Sequence, residues 1–409
     1  MKRQLLLLVI IVLAAMWLLE KKFVFETSVV AETLAKEVKN DPAISPAKIE
    51  PGTAKTKFKS AKQIYKEALN YTIAVVSEWD DAKDLTNPNY PKKTSFCSGF
   101  VKNISDKSYI YTVRHCFGDY PNLSNFKVWI EFSNAPYQEA EVVGYSEVPL
   151  DFALLKFKDE KFFLKTAATL GNSDALEVGD SVIAIGHPKG IKNYLSSGKI
   201  GRLNLTELQY YFGPGLIGTE THLGPGNSGG PLFNDKGEVV GLNEAVMGDA
   251  VFPAISLVIP INQAEAVLPK ILKGGEIKTA DLGYHIEDVW KLSATVIREL
   301  GLKNISAKGP VVLGPKTANP LYLPRLWPFS SLREGDIILS YNGKPVKSRQ
   351  EIGIRNLEMD PGTKIKISIF RNGRRMEKEV KLEDLKSLFG SENLKTLKNI
   401  WKNSLIQKK

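Results

Sequence analysis

Three residues of this chain could together form an activated nucleophile. His115 ends the apolar run "YIYTVRH", Asp151 precedes "FALLKF", and Ser228 lies in "HLGPGNSGGPLFNDKGEVVGL". A serine hydroxyl attacks a carbonyl efficiently only when a base removes its proton, and a carboxylate behind an imidazole fixes the tautomer. The glycines beside Ser228 let the backbone turn sharply, so that neighbouring N–H groups can converge on one point. Singly, a strand-end histidine is more often structural and an aspartate before a strand more often a cap. Their joint order, His115, Asp151, Ser228, with "GNSGGP" around the last, points to chemistry.

The chain holds four histidines, so the choice of base is short. His187 sits in the turn "IGHPKG", His222 in the serine loop itself, and His285 in a later strand. "GNSGG" also satisfies the G-x-S-x-G pattern of a nucleophile elbow, which requires a helix after the serine and a later histidine partner. Here Pro231 follows almost at once, and "PLFNDKGEVVGL" reads as strand, turn, strand. The elbow reading fails.

The elements that must position these residues are strands. "YTIAVVSEW", "FCSGFVKN", "SYIYTVRH", "FKVWIEF", "AEVVGYS" and "FALLKFK" succeed one another between polar or Pro/Gly turns. "DSVIAIGHP", "YLSSGKIGRL", "GEVVGLNEAV" and "VFPAISLVIP" follow, and residues 262–273 read as a closing helix. Many short β-rich runs predict a barrel or sandwich. A second unit begins between 276 and 280, with a strand in "LGYHIEDV", a helix in "SATVIRELGL" and a proline-rich insertion over 315–331. It continues with "LREGDIILSYNGKPV", a helix in "SRQEIGIRNLEM" and a hairpin turning at Asn372-Gly373.

At 409 residues and 43% hydrophobic the chain is long enough for two or three domains with their own cores. The net charge of +10 is concentrated: residues 386–409 carry six lysines against Glu392 alone. With no zinc-finger spacing, aromatic RNA-binding signature or Gly-Lys-Ser loop, nucleic acid is not an expected partner, and no cofactor or metal is expected. Lys2 and Arg3 precede an apolar run from Leu5 to Leu19 that would span roughly 22 Å as a helix. That is short for a bilayer, but Lys21 and Lys22 disfavour a cleavage site, so an uncleaved signal anchor is preferred over a cleaved signal or a buried helix. Either exported reading makes the pair Cys97 and Cys116 one disulfide; two inert buried thiols is the alternative.

The motifs resemble the HtrA (Deg) branch of chymotrypsin-fold serine proteases with a C-terminal PDZ domain. The matching stretches are "CSGFV", "IYTVRH", "DFALLK", "LGNSDALEVGDSVIAIGHPKG", "SSGKIGRL", "GPGNSGGPLFNDKGEVVGLN" and "PINQAEAVLPKI", and in the second unit "LREGDIILSYNGKPV". The resemblance implies a mainly β fold, a double β-barrel protease domain followed by an α+β PDZ domain, behind an N-terminal membrane-anchor helix. The implied boundaries are anchor 1–22, linker 23–58, protease 59–275, PDZ 276–385 and basic amphipathic tail 386–409. Ser228 would be the nucleophile, His115 the general base and Asp151 its orienting acid. Backbone N–H groups of Gly226, Asn227 and Ser228 would form the oxyanion hole, and His222, Leu223, Asn243, Glu244 and Ala245 would line the substrate pocket. Asp281, Leu282, Gly283 and Tyr284 would form the loop that captures a peptide C-terminus.

The implied protein is a membrane-anchored endopeptidase of the periplasm or cell surface that cleaves misfolded or regulatory polypeptides and can form trimers. Three departures from the family pattern stand out: Arg114 before the base, where a cation would lower its pKa, the cysteine pair, and "ETHLG" ahead of the serine loop. The alternative is an inactive or latent PDZ-containing adaptor or chaperone.

Overall fold

The computed structural model describes residues 58–80, 93–133, 136–146, 150–206, 214–247, 254–302, 309–314 and 331–387. The signal anchor, nearly all of the linker, residues 315–330 of the insertion and residues 388–409 of the tail lie outside the described residues. Among those described, no helix is long and apolar enough to cross a membrane.

The described chain enters through helix α1 (Ala61–Ala68), started by a reciprocal cap in which Ser60 and Gln63 bond each other's backbone N–H. The cap satisfies N–H groups that the first helical turn leaves open, and Ile64 and Ala68 bury the inner face. Six strands follow: β1 (Thr72–Trp79), β2 (Lys93–Ile104), β3 (Lys107–Thr112), β4 (Lys127–Glu131), β5 (Gln138–Ser146) and β6 (Phe152–Phe157). They lie in the order β5-β4-β1-β2-β3-β6, and β5 pairs with β6 to close a barrel. Its core holds Ile73, Val75, Phe100, Ile110, Tyr111, Phe152 and Leu154, all buried.

A second closed barrel comprises β7 (Ser181–Gly186), β8 (Tyr194–Leu205), β9 (Leu216–Thr219), β10 (Pro231–Phe233), β11 (Val239–Met247) and β12 (Ile255–Pro260). Its order is β10-β11-β12-β9-β8-β7. Val182, Ile200, Ile217, Leu232, Val240 and Val258 fill its interior. The sequence expectation overlooked β9, whose four residues stand close behind Gly213, Pro214 and Gly215 and show no alternation. Helix α2 (Ile261–Ile271) then places Ile261, Ala264, Val267 and Ile271 in the main core, the spacing of one helical face.

The chain stays on the first barrel slightly longer than the sequence suggested. Strand β13 (Gly275–Glu276) runs parallel to β5, and Ile277 N–H donates to Tyr145 O at 2.9 Å. The second unit contains β14 (Ala280–Asp281), β15 (His285–Asp288), α3 (Ala294–Glu299), β16 (Pro310–Leu313), β17 (Ile337–Tyr341), β18 (Lys344–Pro345), α4 (Arg349–Glu358), β19 (Lys364–Arg371), β20 (Arg374–Lys381) and β21 (Glu383–Asp384). Its main sheet runs β15-β16-β17-β19-β20, with β18 beside β17, while β14 pairs β21. The β19–β20 hairpin turns where predicted, with both Asn372 and Gly373 at positive φ. Helix α4 docks on α2: Lys270 Nζ donates to Leu357 O at 3.2 Å and Met359 O at 2.7 Å.

Cys97 and Cys116 form a disulfide with Cα atoms 6.1 Å apart, tying β2 to the short turn that carries His115. Closing a loop of this size removes unfolded-state entropy worth about 3 kcal/mol. The double variant C97S/C116S is therefore expected to lower stability by about that amount in urea denaturation. An unchanged midpoint would remove the disulfide from this account.

Candidate active site

His115 lies in a single 3₁₀ turn, Arg114–Phe117, between β3 and β4. Two anchors hold this turn: the disulfide and the Ser77 hydroxyl, which donates to Cys116 O at 2.7 Å. Asp151 precedes the fully apolar start of β6 and grips the histidine twice. Its Oδ1 accepts the His115 backbone N–H at 2.8 Å, and its Oδ2 lies 2.6 Å from Nδ1. Nδ1 is thereby committed to the carboxylate, and Nε2 has no protein partner among the described residues. A third of the His115 side chain stays exposed, whereas Asp151 is buried.

Electrostatics follow from this packing. Burial alone would lower the His115 pKa, but the charge and hydrogen bond of Asp151, with Glu244 behind them, raise it to about 10. Burial works against ionised Asp151, yet His115 wins and holds its pKa below the usual carboxylate value. This corrects the expectation for Arg114. Its guanidinium turns away from the imidazole, donates to Gly118 O at 2.9 Å and Tyr120 O at 2.5 Å, and covers the Tyr145 ring at 4.7 Å. The cation braces the loop after His115, and the imidazole's pKa rises.

Ser228 lies in the loop between β9 and β10, and a strand follows it, as "PLFNDKGEVVGL" led one to expect. Its hydroxyl donates to Glu244 O at 3.3 Å and not to the imidazole. Glu244 links the parts: its carbonyl receives the serine, and its Oε1 lies 3.6 Å from His115 Nδ1. The loop is held by its carbonyls. Pro225 O accepts from Lys189 N at 2.9 Å, and Asn227 O accepts from Gly230 N at 3.0 Å. A planar trans peptide points its N–H opposite its C=O, so Gly226 N–H and Ser228 N–H face away from those bonds. Neither donates to a protein acceptor among the described residues. The Asn227 N–H is committed to Gly224 O at 3.0 Å, so the structure leaves two of the three expected donors.

Two glycines have no substitute here. A Cβ on Gly226, at φ +103°, would lie 2.5 Å from His187 O, and one on Gly229, at φ +82°, would lie 2.4 Å from Ser98 O. Sequence reasoning quoted Ser98 only within a motif, yet it ties the loop to the first barrel. Ser98 Oγ donates to Gly226 O at 2.7 Å and accepts His187 N–H at 2.9 Å, and Ser98 N donates to Ser228 O at 2.8 Å. His187 is buried beside it, and burial pushes its pKa down to about 4, so it stays neutral as a prop.

The expected pocket residues separate. His222 is exposed, its N–H held by Ser196 Oγ at 2.7 Å, while Leu223 packs on the second barrel's core. Asn243 is buried, with Nδ2 3.4 Å from Pro231 O, and Ala245 packs against the main core. Glu244 is buried and faces His115 and Asp151. Those three residues bring donor atoms within 4.8 Å of one another, but the 2.6 Å contact between Nδ1 and Oδ2 is a hydrogen bond with no cation between its partners. In the second unit Leu282 is buried, Gly283 has φ 74°, and Tyr284 Oη accepts Leu332 N–H at 3.3 Å. Asp281 Oδ1 accepts Gly283 N–H at 2.8 Å, so the loop's own carboxylate occupies that donor.

Residues 97–242 match the trypsin-like peptidase domain family. The chain is 31% identical over 291 residues to the periplasmic pH-dependent serine endoprotease DegQ of Escherichia coli (strain K12), covering 70% of this chain and 59% of that protein. It is 30% identical over 282 residues to a probable periplasmic serine endoprotease DegP-like of Chlamydia trachomatis serovar D, covering 68% and 52%. The chain thus spans little more than half the length of these relatives. Among solved structures, the HtrA-type protease AlgW with tripeptide superposes with a TM-score of 0.61 at 23% identity, over 80% of this chain and 97% of that one. AlgW with decapeptide gives 0.58 at 23%, over 80% and 99%. At such identities the likeness is one of fold.

Ser98→Ala would keep the backbone bond from Ser98 N–H to Ser228 O but remove the side-chain part of the loop's link to the first barrel, leaving His187 N–H and Gly226 O buried without that partner. Such losses cost about 1–3 kcal/mol. Urea denaturation is expected to register a loss of that order; an unchanged midpoint would show that the loop does not depend on Ser98.

Proposed function

We propose, on the premise that the chain is a member of the HtrA-type serine proteases, that it is a serine endopeptidase acting on polypeptides outside the cytoplasm. The observation that carries the reading is the double grip of Asp151 on His115, which commits Nδ1 and leaves Nε2 as the proton acceptor. Ser228 would attack the scissile carbonyl while His115 takes its proton; the imidazolium, stabilised by Asp151, would then protonate the leaving amine. The developing oxyanion would be met by the N–H groups of Gly226 and Ser228. Water would then hydrolyse the acyl-enzyme by the same route, with His115 as base again.

The second unit is assigned as a PDZ domain with residues 276–385 as its extent. A peptide C-terminus would add as a strand to the edge strand β15 and place its carboxylate at the 281–284 loop. To do so it must displace Asp281 from Gly283 N–H. The apolar run from Leu5 to Leu19 supports a signal anchor, and a trimer belongs to the same proposal. One observation favours a latent form: the Ser228 hydroxyl is bonded to Glu244 O, so the nucleophile must turn before it can pass its proton to His115.

Intact-mass analysis of the full chain after fluorophosphonate treatment tests this reading. One adduct is expected, lost in both Ser228→Ala and His115→Ala. An adduct that forms only with added C-terminal peptide marks the latent form, and none under either condition excludes the enzyme. A base with a raised pKa is neutral only above that pKa, so labelling should rise with pH through a midpoint above the ordinary imidazole value of about 6.5. A midpoint at or below it would contradict the assigned electrostatics.

A further inference from the structure

Behind His115 and Asp151 lies a second carboxyl that the triad does not use. Glu244 has no exposed side-chain surface, and neither of its carboxyl oxygens has a hydrogen-bond partner among the described residues. Its position is built by the strand. Asn243 pairs Val258 and Ala245 pairs Leu257, so Glu244 is the unpaired residue of a β-bulge in β11. Bulges re-aim side chains, and this one aims a carboxyl at the His115–Asp151 pair, all three within 4.8 Å.

Among the described residues, two charged groups act on Glu244: Asp151 from the entrance of β6 and His115 from the 3₁₀ turn. Arg114, the cation that precedes His115 in sequence, faces carbonyls and Tyr145. Ser228 approaches only the Glu244 carbonyl, with a neutral hydroxyl. Two buried carboxylates facing one imidazolium carry one negative charge too many, and the remedy at such sites is a retained proton. Asp151 accepts two bonds from His115 and is the ionised partner. Glu244 accepts none and keeps the proton; burial and the charge of Asp151 both act in that direction. His115 Nδ1 is already a donor, and the Asp151 carboxylate, whose oxygen lies within 4.8 Å of the Glu244 carboxyl, is the acceptor this proton would face.

We propose that Glu244 is a positioning residue of the site: a neutral, buried carboxyl that donates a hydrogen bond to Asp151 and steadies its grip on His115. This rests on the endopeptidase reading for its effect on turnover, but not for its effect on the histidine. When the proton leaves at alkaline pH, a second negative charge forms beside Nδ1 and strengthens the hold on the imidazolium. The His115 titration in the native chain therefore contains two coupled steps.

The test is NMR titration of the full-length chain with isotope-labelled histidine, whose four signals are assigned by single substitutions, together with kcat and KM on a peptide substrate. Native His115 should titrate in two steps and E244Q in one, because glutamine keeps a donor but cannot ionise. E244A should lose about 10- to 100-fold in kcat with KM nearly unchanged, and E244Q should recover most of that loss. Identical titrations in native and E244Q chains, or E244Q as impaired as a folded E244A, would overturn the proposal. Should E244A not fold, the comparison of native chain with E244Q still decides. Should the native chain neither turn over substrate nor react with fluorophosphonate, the endopeptidase reading falls, and the histidine titration still judges Glu244.

Discussion

The site depends first on the buried hydrogen bond between His115 Nδ1 and Asp151 Oδ2, at 2.6 Å. An imidazole in a short turn is free to tilt, and as a base it needs one tautomer and one orientation. Asp151 supplies both by holding the ring and the backbone of the same residue. The rest of the first barrel keeps that carboxylate in place: β6 is buried along nearly its whole length, and the disulfide and Ser77 pin the turn from the other side.

The second barrel contributes backbone more than side chains. Lys189 and Gly230 restrain the carbonyls on the two peptides that carry the Gly226 and Ser228 N–H groups, so the donor geometry is set before any substrate arrives. Preorganised donors need no reorientation as charge develops, which is where most of their catalytic value lies. Ser98 joins this loop to the first barrel, and Glu244 joins it to the His–Asp pair. The two barrels therefore share one polar network, and movement of either would be felt at Ser228.

Much of this was legible in the sequence because it rests on local chemistry. Glycine crowding around Ser228 reports a backbone that side chains would obstruct, and the apolar run after Asp151 reports a buried strand with a carboxylate at its mouth. The Asn-Gly hairpin and the helices in "SATVIRELGL" and "SRQEIGIRNLEM" were likewise readable from local pattern. Other features depend on contacts distant in sequence. Arg114 adjoins His115 in the chain yet points elsewhere, since 3₁₀ geometry sends successive side chains in different directions. Glu244 read as a pocket residue because a β-bulge leaves no mark on "VVGLNEAV". A lone carboxylate in so apolar a strand was the signal that could have singled it out. Asp281 closing its own loop was similarly unreadable as a contact, although its charge was visible.

The most direct test of the central claim, that His115, Asp151 and Ser228 form one activated nucleophile beside two convergent N–H donors, is a crystal structure of the full chain with a peptide boronic acid. The account predicts a boron bonded to Ser228 Oγ, one boronate oxygen held by Gly226 N–H and Ser228 N–H, and His115 Nε2 within hydrogen-bond distance of the adduct. A chain that excludes the boronate and keeps the Ser228 hydroxyl on Glu244 O, or one that binds it at another residue, would contradict it.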